Sequence, residues 1–433
     1  MLKARTFLLL AGALGLVAAC TSTDTGSSSS QTTAPASVGG STGTATRGTV
    51  ASTNPALAET VDEVIEENID KRHLRSVIVR VTIDGEEILT RAYGESMTGV
   101  PATTDMHFRN GAVAISYVST LLLMLVDEKT VTLDDKVSTW LPDLPHADEV
   151  TLGQLAQMTS GYDDYVIGNT EMNLALYADP FRQWTPDELL AYAVTKPLWY
   201  PPGTSWNYAH TNYVILGLAL EKITGKPMAE LLEEKVLGPM GLTNTSGNGG
   251  TPAIPEPALH AFTSERKGAL NIPDSTGFYE ESTFWNPSWT ITHGAIQTTD
   301  IFDLDTTAIA IGTGKLLSPE SYQKMISTDL RGFGEAITGC ATCAKQSEQY
   351  SYGIGIVTTG NWVMQDPLFS GQAGAFAYLP SQKVAISLAL TVTEEAFAPD
   401  GSYTPETTSN AADALWREIG AVLAPDDAPP LKK

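Results

Sequence analysis

The residues FRNGAVAI at positions 108–115 carry the most information about the architecture of this chain. An apolar run follows to about Glu128, and its length predicts a buried helix rather than a strand. The same segment continues into VTLDDKV at 131–137 and WLP at 140–142. Its spacing of glycine, small and apolar residues forms one continuous pattern that can be compared with known families.

This segment resembles the serine β-lactamase and penicillin-binding family, in its branch of class C β-lactamases, DD-carboxypeptidases and esterases. The family pattern is F-R-x-G-S-x-x-K, then an apolar helix, then L-D-D-x-V-x-x-Y/W-L-P. The match runs without a gap, so Ala112 falls on the position of the nucleophilic serine and Ile115 on that of the lysine. An acyl-enzyme needs an activated hydroxyl and a nearby amine that assists its deprotonation. Both groups are missing at these two positions.

The two replacements are physically consistent with each other. A buried ammonium that has lost its hydroxyl partner is costly to desolvate, and an apolar side chain in its place avoids that penalty. We therefore interpret Ile115 as a change that stabilises the fold after loss of catalysis, although both Ala112 and Ile115 are also ordinary residues for a helix core. Ser116 lies one turn beyond Ala112, but no lysine is near it in the sequence.

The second family motif is Y-x-N, whose tyrosine takes part in proton transfer. The residues PPGTSWNYAHTNY at 201–213 resemble the family's P-G-x-x-x-x-Y-S-N-x-N-Y. Tyr208 is retained, and His210 stands in place of the asparagine. Tyr208 therefore either keeps a functional role or is a half-buried packing residue.

The third family motif, H-x-G or K-T-G, lies on the strand that borders the cleft. The residues LFSGQAGAF at 368–376 resemble the family's G-H-S-G-Q-T-P-G-F. Phe369 replaces the cationic or hydrogen-bonding residue, whereas Ser370 and Gly371 are retained. The positions equivalent to the family's catalytic motifs are thus Ala112, Ile115, Tyr208, His210, Phe369 and Gly371, and no catalytic set is intact.

The amino terminus has the form of an export signal. Lys3 and Arg5 precede an apolar run at 7–16, and VAAC follows at 17–20. The run is too short to span a membrane, and its flanks are typical of a signal peptide. The pattern resembles a bacterial lipobox, which implies that Cys20 is the lipid-bearing first residue of the mature protein. The alternative is an ordinary cleaved signal or a buried cysteine.

From Thr21 to about Thr53 the chain consists largely of serine, threonine, glycine and alanine. Such a segment cannot bury enough apolar surface to offset its ordering entropy, so we expect a flexible tether or a glycosylated stalk. The expected organisation has four parts: a lipoprotein signal peptide at 1–19, a lipid-anchored tether at 20–54, a β-lactamase-like domain at 55–424 and a carboxy-terminal tail at 425–433.

The order of predicted elements indicates the fold class. A helix from Asn54-Pro55 and a hairpin over 77–93 come first, and helices fill the middle. Late in the chain, single strands are predicted over 352–358, 362–364, 375–379 and 384–392, and a final helix over about 407–423. This order favours an antiparallel sheet built from both ends of the chain. The resemblance, which covers about 56–420, implies an α+β fold (an α/β sandwich). In it a five-stranded antiparallel sheet is packed by terminal helices, with an inserted helical subdomain and a cleft between the two.

Charge and cysteine content restrict the partners. The formal net charge of −24 argues against nucleic acid. Cys340 and Cys343 lie three residues apart in an exported chain, which favours a local disulfide over a redox-active pair. The six histidines are scattered without metal-ligand spacing, so neither a metal nor a cofactor is expected.

Three functional hypotheses follow. The first is a lipid-anchored pseudoenzyme on the outer face of the bacterial cytoplasmic membrane, which binds a cell-wall peptide, a small apolar ligand or a protein partner. The second is a divergent serine hydrolase that uses Ser116, Ser370 or a water molecule activated by His210. The third is a structural or protein-interaction module whose cleft is closed.

Overall fold

The computed structural model describes residues 52–247, 251–292, 294–405, 407 and 410–431. The expected signal peptide, Cys20 and nearly all of the tether lie outside these residues. No helix within the described ranges is both long and apolar enough to cross a bilayer. The lipid anchor therefore stays a prediction from the sequence.

The helices begin and end at the following residues: α1 Pro55–Lys71, α2 Val113–Asp127, α3 Leu152–Ala156, α4 Thr170–Ala178, α5 Pro186–Leu190, α6 His210–Thr224, α7 Met228–Leu232, α8 Gly238–Met240, α9 Ile301–Gly312, α10 Pro319–Met325 and α11 Ala411–Leu423. The strands are β1 Leu74–Ile83, β2 Glu86–Met97, β3 Val100–Pro101, β4 Phe108–Arg109, β5 Ser246–Gly247, β6 Phe262–Thr263, β7 Glu280–Glu281, β8 Gln297–Thr299, β9 Ser351–Tyr352, β10 Val357–Thr359, β11 Trp362–Gln365, β12 Leu368–Phe369, β13 Gln372–Leu379 and β14 Val384–Val392.

The main sheet has nine strands in the order β3-β2-β1-β14-β13-β11-β10-β9, with β12 beside β13. All neighbouring pairs are antiparallel. The amino-terminal strand β1 lies next to the carboxy-terminal strand β14, which confirms a sheet built from both ends of the chain. The expected number of five strands is too low, because β3, β9, β10 and β12 are too short for alternation to be seen in the sequence.

Helices from the two ends of the chain cover the sheet, as predicted. Helices α1 and α11 pack against each other and against the sheet, and α9, from the middle of the chain, packs against β1, β13 and β14. Helices α2 to α8 lie in the sequence between the amino-terminal hairpin and β8, so the inserted helical part is also present. Beyond α11, the tail contacts the domain: Trp362 Nε1 donates to the Asp427 carbonyl at 2.8 Å.

Local signals set several element ends. The Asn54 side chain accepts from Leu57 N at the start of α1, and α6 ends at Gly225 with φ +71°. The single strand predicted over 352–358 is wrong, because the chain between β9 and β10 turns at Gly355 with φ +66°. A Cβ at Gly355 would lie 1.9 Å from Ser119 Oγ of α2, so the turn brings this segment against the buried helix.

Candidate functional site

A cleft with a volume of about 510 Å³ lies where the first turns of α2 and α6 approach β12. Helix α4 and the segment around Trp289 complete its walls. Four of the motif positions line this cleft, namely Ala112, Tyr208, His210 and Phe369, whereas Ile115 and Gly371 do not. A cavity of about 740 Å³ lies apart from them, at Gln154, Gln157 and Lys324.

The start of α2 is held in place by backbone geometry and hydrogen bonds. Gly111 has φ +49°, and a Cβ there would lie 2.6 Å from Pro367 Cβ, so this position requires glycine. Asn110 Nδ2 donates to Gln297 Oε1 at 2.6 Å, and Gln297 N donates back to Asn110 Oδ1 at 3.0 Å. These contacts hold Ala112 at the edge of the cleft, where its methyl group can neither attack a carbonyl nor accept a proton.

The other positions on α2 belong to the core. Ile115 is fully buried among apolar residues, at 0% exposure. Ser116 is also fully buried, and its Oγ donates to the Val113 carbonyl at 2.6 Å. Neither residue lines the cleft. This placement leaves Ser116 unsuited to replace the missing nucleophile.

Tyr208 retains the family's position but not the electrostatics of a base. Burial raises the pKa of the Tyr208 phenol above its ordinary value, and the nearby carboxylates of Asp164 and Asp366 raise it further. Deprotonation of a phenol creates a negative charge, which both carboxylates oppose. Tyr208 therefore stays protonated at neutral pH and cannot serve as a proton acceptor.

His210 is held in the cleft by hydrogen bonds to the carboxylate of Asp164. Its Nδ1 lies 3.1 Å from both carboxylate oxygens of Asp164, and its backbone N donates to Asp164 Oδ1 at 3.1 Å. Asp164 is 1% exposed, and it also accepts from the backbone N–H groups of Val166 and Ile167. This geometry suits an Nδ1–H group that donates to the carboxylate, which leaves Nε2 for other partners.

Phe369 makes its part of the cleft aromatic. Its ring stacks on Trp289 with centroids 5.7 Å apart and an interplanar angle of 18°. On the same ring lies the buried guanidinium of Arg109, 6.0 Å from the centroid and outside the cleft lining. Ser370 lines the cleft, whereas Gly371 sits in the turn after it with φ +84°. A Cβ at Gly371 would lie 1.9 Å from the Phe262 carbonyl oxygen, so Gly371 has a structural role.

The predicted disulfide between Cys340 and Cys343 is present. Neither cysteine lines the cleft. In the part of the chain that the structure describes, no group of three or more histidine, cysteine, aspartate or glutamate side chains could hold a metal ion.

Three carboxylates of the site have no motif that identifies them in the sequence. Asp164 orients His210, while Glu265 and Asp366 line the cleft directly. Asp164 follows shortly after LAQMTSG at 155–161, a segment that resembles the family's L-L-x-H-T-S-G and is the one signal that points to it. Glu265 and Asp366 lie far apart in the sequence, and only the fold brings them to one cleft.

Residues 61–403 match the beta-lactamase family model. Penicillin-binding protein 4 of Amycolatopsis lactamdurans is 31% identical over 198 residues, which are 44% of this chain and 47% of that protein. Esterase EstB of Burkholderia gladioli is 29% identical over 199 residues, 43% of this chain and 50% of the esterase. The matched stretch thus spans about half the length of these curated relatives.

Solved structures extend the likeness to most of the fold. D-amino acid amidase from Ochrobactrum anthropi, complexed with D-phenylalanine, is similar with a TM-score of 0.68 and 20% identity, over 85% of this chain and 98% of the amidase. The penicillin-binding protein of Bacillus halodurans gives 0.63 and 15%, over 84% and 98%. These likenesses establish the architecture. With the family match over most of its length, this chain belongs to the beta-lactamase family.

Proposed function

We propose that this protein is a non-catalytic member of its family that binds a cell-envelope ligand in the cleft, and that lipid on Cys20 holds it at the outer face of the cytoplasmic membrane. The observation that carries the proposal is Ala112, a methyl group at the helix start where the family needs a hydroxyl. Tyr208 supports it, since burial and the nearby carboxylates raise the pKa of its phenol, and a protonated phenol cannot accept the proton of a nucleophile.

The size of the loss decides against residual chemistry by the family's route. In the serine protease subtilisin, removing the nucleophilic serine lowers kcat on the order of 10⁶-fold. That corresponds to about 8 kcal/mol of activation free energy. Binding contacts that remain in the cleft stabilise substrate and transition state alike, so they do not restore this difference.

The test is covalent labelling by a fluorescent penicillin. Purified protein is incubated with the probe, denatured and examined for a stable adduct, beside a relative that retains its serine. We expect no adduct on the wild type. A stoichiometric acyl adduct on this chain would overturn the proposal. The double variant Ala112→Ser with Ile115→Lys is the matched comparison, and Phe369 and His210 should keep any labelling of it slow.

The open cleft favours ligand binding over a purely structural role. A volume of about 510 Å³ is in the range of small-molecule sites, and Phe369 forms a wall without closing it. The ligand could therefore be a cell-wall peptide or a small apolar molecule, and a protein partner could insert a side chain there.

A second candidate function rests on His210. With Nδ1 bound to Asp164, Nε2 could take a proton from water that attacks an ester or amide. Ser370 is the remaining hydroxyl-bearing alternative from the sequence, and it also lines the cleft. Turnover of a p-nitrophenyl ester that is lost in His210→Gln and kept in Ser370→Ala would favour the water mechanism. The non-catalytic proposal expects no turnover in any of the three proteins.

The lipid anchor has its own test. Cys20→Ala should change processing and release the protein from the membrane fraction, whereas the wild type should need detergent. An unchanged membrane fraction and unchanged processing in Cys20→Ala would show that Cys20 is not the anchor.

A further inference from the structure

The charged side chains of the cleft are all of one sign. Glu265 and Asp366 line it, and Asp164 lies directly behind His210. Among the described residues that line the cleft, none is a lysine or an arginine. A cavity of this kind favours cations, because the surrounding protein screens carboxylate charges far less than water does.

The guanidinium of Arg109 lies outside the lining of the cleft. It is buried beside the Phe369 ring, and it donates to the Pro252 carbonyl. The Phe369 ring lines the cleft, whereas the guanidinium does not. An anionic ligand would meet the aromatic face instead of a guanidinium.

Glu265 is the carboxylate with the most unusual surroundings. Thr263 Oγ1 donates to its Oε2 at 2.8 Å, while the hydroxyls of Tyr177 and Tyr403 lie at 3.4 and 3.5 Å. Ser370 also donates to this carboxylate, and all four donors are neutral hydroxyls, so they leave its negative charge uncompensated. The neighbouring Arg266 pairs with Glu280 instead. In the described part of the chain, no cation forms an ion pair with Glu265.

Aromatic rings supply the rest of the recognition surface. The stacked pair of Trp289 and Phe369 lines the cleft together with Tyr177 and Tyr208. Ring faces attract cations and pack against apolar groups. A ligand with an ammonium group next to an aromatic or aliphatic body would satisfy both features.

We propose that the cleft selects ligands that carry a positively charged amine, with Glu265 as the group that receives the amine and the Trp289–Phe369 pair as the surface that holds the apolar body. This inference rests on the proposed function, because it assumes that the cleft binds its ligand without reacting. It names the chemical class of the ligand: a primary amine with an apolar substituent.

The experiment compares three probes of similar size: phenethylammonium, 2-phenylethanol and 3-phenylpropanoate. Their dissociation constants for the full protein are measured by calorimetry at neutral pH. A hydrogen bond between charged groups is stronger than one between neutral groups, so the cation should bind about tenfold or more tightly than the alcohol. The anion should bind weakest. Equal affinities, tighter binding of the anion, or no binding of the cation at millimolar concentration would overturn the inference.

Glu265→Gln provides the matched variant and Glu320→Gln its control, since the Glu320 side chain is 79% exposed and lies outside the cleft. The preference for the cation should fall about tenfold in Glu265→Gln and stay unchanged in Glu320→Gln. The ranking of probes on the wild type tests the inference even if Glu265→Gln does not fold. The probes form no covalent adduct, so a failure here is distinct from labelling by penicillin, which would overturn the proposed function alone.

Discussion

Two helices point their first turns into the same cleft, and their side chains differ sharply. At the start of α2, Ala112 makes no side-chain capping hydrogen bond, and Ile115 is part of the core. At the start of α6, the backbone N–H and the ring of His210 both bind the buried carboxylate of Asp164. One helix start has become apolar, and the other is tied into a polar network.

The difference shows that a cleft without a hydroxyl at position 112 still holds an ordered polar network at its other helix start. A buried polar group without partners is destabilising, so an unused network would be expected to decay or become apolar. The α2 start follows that expectation. The α6 start does not, because Asp164 accepts from several donors that would otherwise be buried without partners.

The largest effect is expected from putting an amine back at position 115. Ile115→Lys would bury an ammonium in a fully apolar site, so the free energy of unfolding should fall by about 5 kcal/mol. Ile115→Leu, which conserves volume, should cost less than about 1.5 kcal/mol. Denaturant unfolding measures both. If Ile115→Lys is as stable as Ile115→Leu, the start of α2 is not the apolar core that the comparison requires.

The next effect is expected at the other helix. Asp164→Ala removes the acceptor of three backbone N–H groups and of the His210 ring, so the free energy of unfolding should fall by about 3 kcal/mol. Asp163→Ala is the control, since that carboxylate binds the partly exposed Lys196 and the Trp199 indole and should cost about 1 kcal/mol. Equal losses of unfolding free energy in the two variants would mean that Asp164 does not stabilise the start of α6 more than an ordinary surface carboxylate would.

The smallest effect concerns Glu265, on a wall that belongs to neither helix. Burial raises the pKa of Glu265, and hydrogen bonds from Thr263 and Ser370 offset this only in part. The adjacent tyrosines, Tyr177 and Tyr403, stay neutral because burial raises the pKa of each phenol. The folded protein therefore binds the Glu265 proton more tightly than the unfolded chain does.

The stability contributed by Glu265 should accordingly fall as the pH rises above 4.5, the ordinary value of a glutamate. Thermal unfolding at several pH values measures this. The melting temperature of Glu265→Gln should rise relative to that of the wild type as the pH rises. Asp127→Asn should show the opposite trend at lower pH, where its melting temperature should fall relative to that of the wild type as the pH rises toward 3.8, the ordinary value of an aspartate. Although slight burial acts to raise the pKa of Asp127, hydrogen bonds from Ser318 and Ser321 hold it below its ordinary value. Parallel trends in both variants would contradict the assigned environments.

Much of the fold could be predicted because it depends on patterns that are local in the sequence. Helix ends are marked locally by the cap at Asn54 and by the stop at Gly225. Helix α2 is marked by its continuous apolar sequence. The two-residue strands could not be predicted, since they form only through pairing with distant residues. Phe108, for example, pairs with Thr299. The turn at Gly355, which divides the strand predicted over 352–358, could not be predicted either, because it depends on the close contact with α2.

The residues of the candidate site likewise include some that the sequence predicts and some that only the fold brings together. Its motif positions could be found because Ala112, Tyr208 and Phe369 lie within family-like segments. The carboxylates could not, because Glu265 and Asp366 reach the cleft only through the long-range pairing of the sheet and the inserted segment. The acidic character of the cleft, on which the inference about its ligand depends, is therefore a property of the folded chain.

Gly111 gives the molecule one practical property. Its backbone conformation and its contact with Pro367 fix where the next residue projects, whatever side chain that residue carries. Position 112 is thus a rigid attachment point at the edge of the cavity. A thiol introduced there by Ala112→Cys could capture weakly bound fragments that carry a disulfide, by an exchange that forms a mixed disulfide and releases the other thiol of the reagent. The position at which the family carries its nucleophile would then serve to trap fragments that bind in the cleft.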